Sequence, residues 1–176
     1  LDRPEARKQR EQVLTEWALP VGQDFGQSQW SQAKTRALRL VQAERYPQAR
    51  ITDSQADVDA QTNQVRLSIT LDSGPQVHIG PLVITGTERY SAEQVERLSH
   101  LTLGAVYKQN DLLLAQQRLV VSGFYDAVFV SLDAEGDVSA MPIKVELKEA
   151  LRQKWVMGVG VRSDNGPRLT AEYTQH

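Results

Sequence analysis

Cysteine is absent from the 176 residues, which excludes a disulfide framework and any thiol chemistry while leaving the compartment open. Long apolar runs are absent too. None approaches the roughly 20 residues of a membrane-spanning helix, and Leu1-Asp2-Arg3-Pro4 does not read as a secretory signal. The chain is therefore expected to be soluble, or to have had a targeting signal removed. Charge of one sign is lacking: 20 basic residues against 22 acidic ones leave −2, without the basic face that nucleic-acid binding requires. Arg3, Arg7, Lys8 and Arg10 do cluster, but Asp2, Glu5, Glu11 and Glu16 interleave with them, so a solvated helix face and no nucleic-acid partner are expected. Histidine is scarce. His78, His100 and His176 lie far apart and outside any ligand spacing. No catalytic, cofactor or metal residues are assigned, and the chain is not expected to be an enzyme. Asp53, Asp57 and Asp59 cluster around an expected bulge and hairpin turn and are read as turn residues rather than calcium ligands.

What is present is a repeat. Asp2 and Glu5 stand at capping-box spacing with Pro4 in the first turn. A helix with Val13, Leu14 and Trp17 on its inner face follows, ending near Pro20. A loop through Phe25 leads to a second helix from about Ser28 to Arg45, with Trp30, Ala33, Ala37, Leu38 and Val41 inward. Two strands come next. In the first, about Ala49 to Val58, Ala49 and Ile51 point one way and Ala56 and Val58 the other, which predicts a bulge. In the second, Val65, Leu67, Ile69 and Leu71 alternate with polar residues. Asp72-Ser73-Gly74-Pro75 is turn chemistry and marks a boundary. Trp17, Phe25, Trp30 and Tyr46 are expected in the core.

The order then recurs with a leading strand, Val77 to Gly86, interrupted by Gly80-Pro81 as edge strands are. His78 alternates with Val77 and Ile79 and should face solvent. Ser91 and Gln94 cap a short helix with Val95 and Leu98 inward. Leu101-Thr102-Leu103-Gly104 matches Leu19-Pro20-Val21-Gly22, and a helix from about Asn110 stops at Gly123. Phe124-Tyr125-Asp126-Ala127 matches Tyr46-Pro47-Gln48-Ala49, and Ile143, Val145 and Leu147 mirror Val65 to Leu71. The expected fold is α+β: tandem β-α-α-β-β units, each a three-stranded mixed sheet covered on one face by two helices, the first lacking its opening strand.

From Arg152 the pattern changes. Trp155, Met157, Val159 and Val161 alternate with Val156, Gly158 and Gly160, and Ser163-Asp164-Asn165-Gly166-Pro167 supplies an Asn-Gly turn. The return strand sets Leu169, Ala171 and Tyr173 against Arg168, Thr170, Glu172 and Thr174. About ten residues per strand with this alternation suits the first hairpin of a transmembrane barrel. Gly158-Val159-Gly160 has no following helix and no third glycine, so it is not read as a nucleotide loop.

The unit resembles a POTRA domain, the periplasmic module of the outer-membrane assembly-factor superfamily. The likeness rests on Leu-x-x-Gly-x-x-aromatic followed by a helix ending in Tyr-Pro-x-Ala or Phe-Tyr-x-Ala. Within the superfamily, Leu19 to Gly22, Ser28 to Lys34, Ser54 to Asp59, Ser73-Gly74-Pro75, Gly80-Pro81-Leu82 and the tail's Gly166-Pro167-Arg168 are most similar to the TamA group. The resemblance implies residues 1–75 as a second POTRA domain without its first strand, 76–149 as a complete third, and 150–176 as the first hairpin of a barrel cut short. Arg45 departs from the pattern, standing where the second repeat has Gly123, so a remodelled helix end is expected there.

The resemblance also implies a location at the periplasmic face of the Gram-negative outer membrane. The partners it implies are a TamB-like inner-membrane-anchored protein and unfolded outer-membrane clients such as autotransporters, with the barrel supplying the membrane contact. The fold that the resemblance implies, with the last strand of each unit central and the middle strand an exposed edge, suggests how clients could be held. Ala127, Val128, Phe129, Val130, Ser131, Leu132 and Asp133, and in the first repeat Ala49 to Val58, form strand edges to which an extended segment could add by backbone hydrogen bonding. Strand pairing between copies, through 153–162 or 168–175, is a further expectation. The alternatives are a BamA-like protein or two-partner secretion transporter, an envelope scaffold without a barrel, or a small α+β enzyme.

Overall fold

A computed structural model describes residues 6–151, 153–162 and 166–175, the last two segments by their strand pairing alone. The expectations on Asp2, Pro4, Glu5 and the turn at Ser163-Asp164-Asn165 lie outside the described residues.

The first repeat opens with α1 (Arg7–Thr15) and α2 (Gln27–Gln42). Ala6, Gln9 and Val13 form the buried stripe of α1. Leu14 lies one residue, about 100°, off that stripe and is exposed, contrary to expectation. The helix also ends at Thr15 rather than near Pro20, and Trp17 lies beyond it, edge-on to Trp30 at 6.1 Å. On α2, Trp30, Ala33, Ala37 and Val41 are buried as the periodicity predicts, with Leu38 at the rim. Strands β1 (Arg50–Asp59) and β2 (Gln64–Asp72) pair antiparallel, and the register slips between Ile51 and Asp53. That slip is the bulge the broken alternation called for. Asp59 closes the hairpin, its carboxylate accepting the Gln61 and Thr62 N–H at 2.9 and 3.3 Å.

The second repeat runs β3 (Ile79–Thr85), α3 (Ala92–Ser99), α4 (Gln109–Val121), β4 (Tyr125–Leu132) and β5 (Met141–Glu149). Its sheet has the order β3-β5-β4, with β3 parallel and β4 antiparallel to the central β5. The sheet is therefore mixed and three-stranded. Ser91 caps α3, accepting the Gln94 N–H, and α4 stops short of Gly123 at φ 76°. Met141, Ile143 and Val145 of β5 are fully buried beneath Val95, Leu112 and Leu119 of the two helices. Each such side chain contributes about 1.5–3 kcal/mol on leaving water. Finally β6 (Gln153–Arg162) and β7 (Gly166–Gln175) pair antiparallel in unbroken register, Trp155 opposite Tyr173 and Val159 opposite Leu169.

The repeats share backbone detail as well as order. Gly22 and Gly104 are both left-handed, at φ 92° and 79°, and so are Arg45 and Gly123, at 69° and 76°. Arg45 thus keeps the left-handed conformation that glycine takes in the second repeat, but the helix end differs as expected: Gly123 N–H bonds the Val120 carbonyl of its own helix, whereas α2 ends three residues before Arg45, whose N–H turns to the other repeat. A left-handed arginine costs about 1–2 kcal/mol. Backbone bonds between the repeats offset it: Arg45 N–H to the Tyr107 carbonyl at 2.9 Å, Val77 N–H to the Arg45 carbonyl at 2.9 Å, and Gln109 N–H to the Ala43 carbonyl at 2.8 Å. Each contributes about 0.5–1.5 kcal/mol net.

Candidate docking edge

Strand β4 carries Ala127, Val128, Phe129, Val130, Ser131 and Leu132, and it lies at the margin of its sheet, as expected. Asp133 falls just past the strand, though its N–H still reaches the Pro142 carbonyl of β5 at 2.9 Å. That bond sets the parity. Peptide groups at Ala127, Phe129 and Ser131 turn toward β5, so those at Val128, Val130 and Leu132 turn outward. Phe129 is 60% exposed on the face away from the helices.

Helix α4 lies over β4. Leu112, Ala115 and Leu119 point into the core. Gln116 sits beside that stripe and reaches the strand margin, its Oε1 accepting the Val130 N–H at 3.2 Å. Leu113 and Val120, three residues before and four after Gln116, are its neighbours on the helix surface; they are 57% and 48% exposed. The outward edge of β4 thus presents a row of peptide donors and acceptors, flanked on the helix side by an aliphatic wall of two exposed side chains.

The opposite margin of the sheet is occupied at its start. The loop after α3 runs along β3, with Ile79 N–H bonded to the Ala105 carbonyl and Gly104 N–H to the Ile79 carbonyl, at 2.8 and 2.7 Å. His78 bridges Val106 and is half-buried rather than solvent-facing. Gly80-Pro81 lies where the β3 register shifts, between Ile79 and Leu82. In the first repeat, β1 is the corresponding edge strand. The far side of β2 faces a cleft of about 930 Å³ walled by Trp17, Leu19, Phe25, Val65 and Leu67. Trp30 and Tyr46 are core, whereas Trp17 and Phe25 are half-buried.

One ionic feature escaped the sequence reading. The Glu149 carboxylate, its side chain only 7% exposed, accepts the N–H groups of Glu88, Arg89 and Tyr90 at 2.7, 2.8 and 3.0 Å and the Arg89 Nε at 2.9 Å. A second Arg89 nitrogen donates to the Ala150 carbonyl. Burial pushes the Glu149 pKa up, but the N–H groups of Tyr90 and Glu88 and the Arg89 side chain outweigh it and hold it down to about 2. The signal was present: Met141, Ile143, Val145, Leu147 and Glu149 share one phase of the alternation, and a carboxylate at an inward phase demands partners. Gln116 left no such trace. Among the described residues no group of three or more His, Asp or Glu side chains is placed to hold a metal.

Residues 77–150 match the POTRA family, described as a surface antigen variable number repeat. No curated protein sequence matches the chain. Among solved structures, BamA from Haemophilus ducreyi lacking POTRA domains 1–3 superposes with a TM-score of 0.73 at 20% identity, over 99% of this chain and 32% of that one. The POTRA3–5 segment of Haemophilus influenzae BamA superposes with a TM-score of 0.61 at 19% identity, over 82% of this chain and 56% of that one. The chain thus spans about a third and just over half of the length of these two. Residues 77–150 therefore carry the sequence pattern and the fold of a POTRA domain, in a chain whose overall α+β fold is that of the tandem POTRA region in the BamA structures.

Proposed function

We propose that this chain is the periplasmic docking module of an outer-membrane protein assembly factor, which holds extended polypeptides by adding them as a strand to β4. The supporting observation is the outward row of peptide groups at Val128, Val130 and Leu132, flanked by exposed Leu113 and Val120. Main-chain pairing makes little demand on sequence, and the aliphatic wall favours apolar side chains at alternate positions. Unfolded barrel strands have that pattern. In this reading residues 1–75 and 76–149 are successive POTRA domains, and 150–176 begins the barrel. The ten-residue lengths of β6 and β7 agree with the 9–11 residues of a tilted membrane strand. The TamA-like sequence features favour a TamB-like inner-membrane-anchored partner and autotransporter clients. A BamA-like protein is the second reading, favoured by the superposition over 99% of the chain.

The test is a proline at Val128, whose N–H faces away from β5 and is not needed by the ladder. Val128→Pro should retain its far-ultraviolet circular dichroism and bind an extended peptide at least about tenfold more weakly, the loss of one or two net hydrogen bonds. Unchanged binding in the folded variant would rule out β4 as the docking edge.

A further inference from the structure

We propose that Gln116 is a gate on the β4 edge, holding the place that a backbone carbonyl of the bound segment takes. This rests on the reading of β4 as the docking edge. The side-chain amide of glutamine ends in the same C=O group as a peptide bond, and its Oε1 accepts from the Val130 N–H at 3.2 Å. Val130 is the middle one of the three outward-facing positions, so no strand can pair through the centre of β4 without displacing Gln116.

Two consequences follow from the geometry. In the unoccupied protein the central donor is satisfied, which blunts the edge against indiscriminate pairing, as side chains on natural edge strands do. A segment that fits must supply a carbonyl opposite Val130 and, to repay the exchange, apolar side chains against Leu113 and Val120 on either side of Gln116. The occupant is therefore an extended segment with alternating apolar and polar residues; a uniformly polar strand gains the backbone bonds but leaves the aliphatic wall bare. The displaced Gln116 amide remains at the strand edge with its N–H₂ free to donate to a carbonyl of the incoming strand.

The experiment uses the full chain and a fluorescein-labelled synthetic peptide of the sequence of residues 166–175, in which Leu169, Ala171 and Tyr173 alternate with polar residues. Gln116→Ala should bind it about twofold to tenfold more tightly than wild type, because one intramolecular hydrogen bond no longer competes. Gln116→Glu, with a stronger acceptor, should bind it more weakly at neutral pH. In the free protein, Gln116→Ala should also speed hydrogen exchange at the Val130 amide, read by NMR without any ligand. If both Gln116 variants bind the peptide as wild type does while Val128→Pro abolishes binding, the docking edge stands and the gate is overturned. If Val128→Pro binds as wild type does, both readings fall. Unchanged Val130 exchange in a folded Gln116→Ala protein overturns the gate by itself.

Discussion

Two left-handed glycines make a matched pair for separating backbone strain from collision. Gly86 follows β3 at φ 85°, and Gly104 lies in the loop before α4 at φ 79°. Alanine at either position must hold a left-handed backbone, which costs about 1–2 kcal/mol. They differ in the space available. A Cβ on Gly104 would meet nothing within 4 Å, whereas one on Gly86 would stand 1.8 Å from the Leu147 carbonyl oxygen and 2.9 Å from its carbon. Those atoms belong to the central strand and cannot swing aside as a flexible side chain can. Overpacking of that kind adds about 1–3 kcal/mol. Gly86→Ala should therefore cost about 2–5 kcal/mol and Gly104→Ala about 1–2 kcal/mol, against a typical domain stability of about 5–15 kcal/mol. Tryptophan fluorescence is a poor reporter, since Trp17 and Trp30 lie in the first repeat and Trp155 in β6. Urea unfolding followed through amide exchange at Ile143 and Val145, both wholly buried in β5, reads the right sheet. Equal destabilisation by the two substitutions, or a milder effect at Gly86, would refute the view that the approach of β3 to β5 is what demands glycine.

Three further outcomes are expected. Glu149 has a folded pKa depressed from the usual 4.5 to about 2, so the stability it contributes is present above the ordinary carboxyl range and lost as pH falls through the folded value. Wild type should lose stability between those two values while Glu149→Gln, already weaker at neutral pH, changes less; parallel acid profiles of the urea midpoint would count against a stabilising role for the Glu149 hydrogen bonds. Leu119→Ala removes a wholly buried side chain beneath the sheet and should cost about 2–5 kcal/mol in thermal unfolding, with a loss under about 1 kcal/mol pointing to a loosely packed core. Arg45→Pro cannot reach φ 69° and loses the N–H that bonds Tyr107, so NMR shifts at Val77, Tyr107 and Gln109 in the other repeat should move together. If they stay fixed, the joint does not depend on Arg45.

Much of this architecture was legible along the chain. Hydrophobic periodicity located α2, α4, β2 and β5, because a helix or strand with one buried face must repeat at its own period. The bulge in β1 announced itself as a change of phase between Ile51 and Ala56, and Gly123 as a helix stop. Leu14 was misplaced because α1 is short and its stripe is set by which side meets α2, a tertiary matter. Glu149 was legible in principle, as a charge in an inward phase. Its partners were not, since the N–H groups of Glu88, Arg89 and Tyr90 are brought to it across some 60 residues by the β3–β5 pairing.

The sequence by itself determined the repeat and its α+β character, since both follow from local period, turn chemistry and the order of elements. Only the tertiary structure decided which peptide groups of β4 face outward, that Gln116 meets the central one, and that Arg45 holds a glycine-like conformation at the joint between repeats. Those depend on strand register and on contacts between residues distant in the chain, where geometry rather than residue type selects the partner. A hydrogen bond from Val130 to Gln116 spans one helix-to-strand turn, and no pattern of apolar and polar letters encodes its direction.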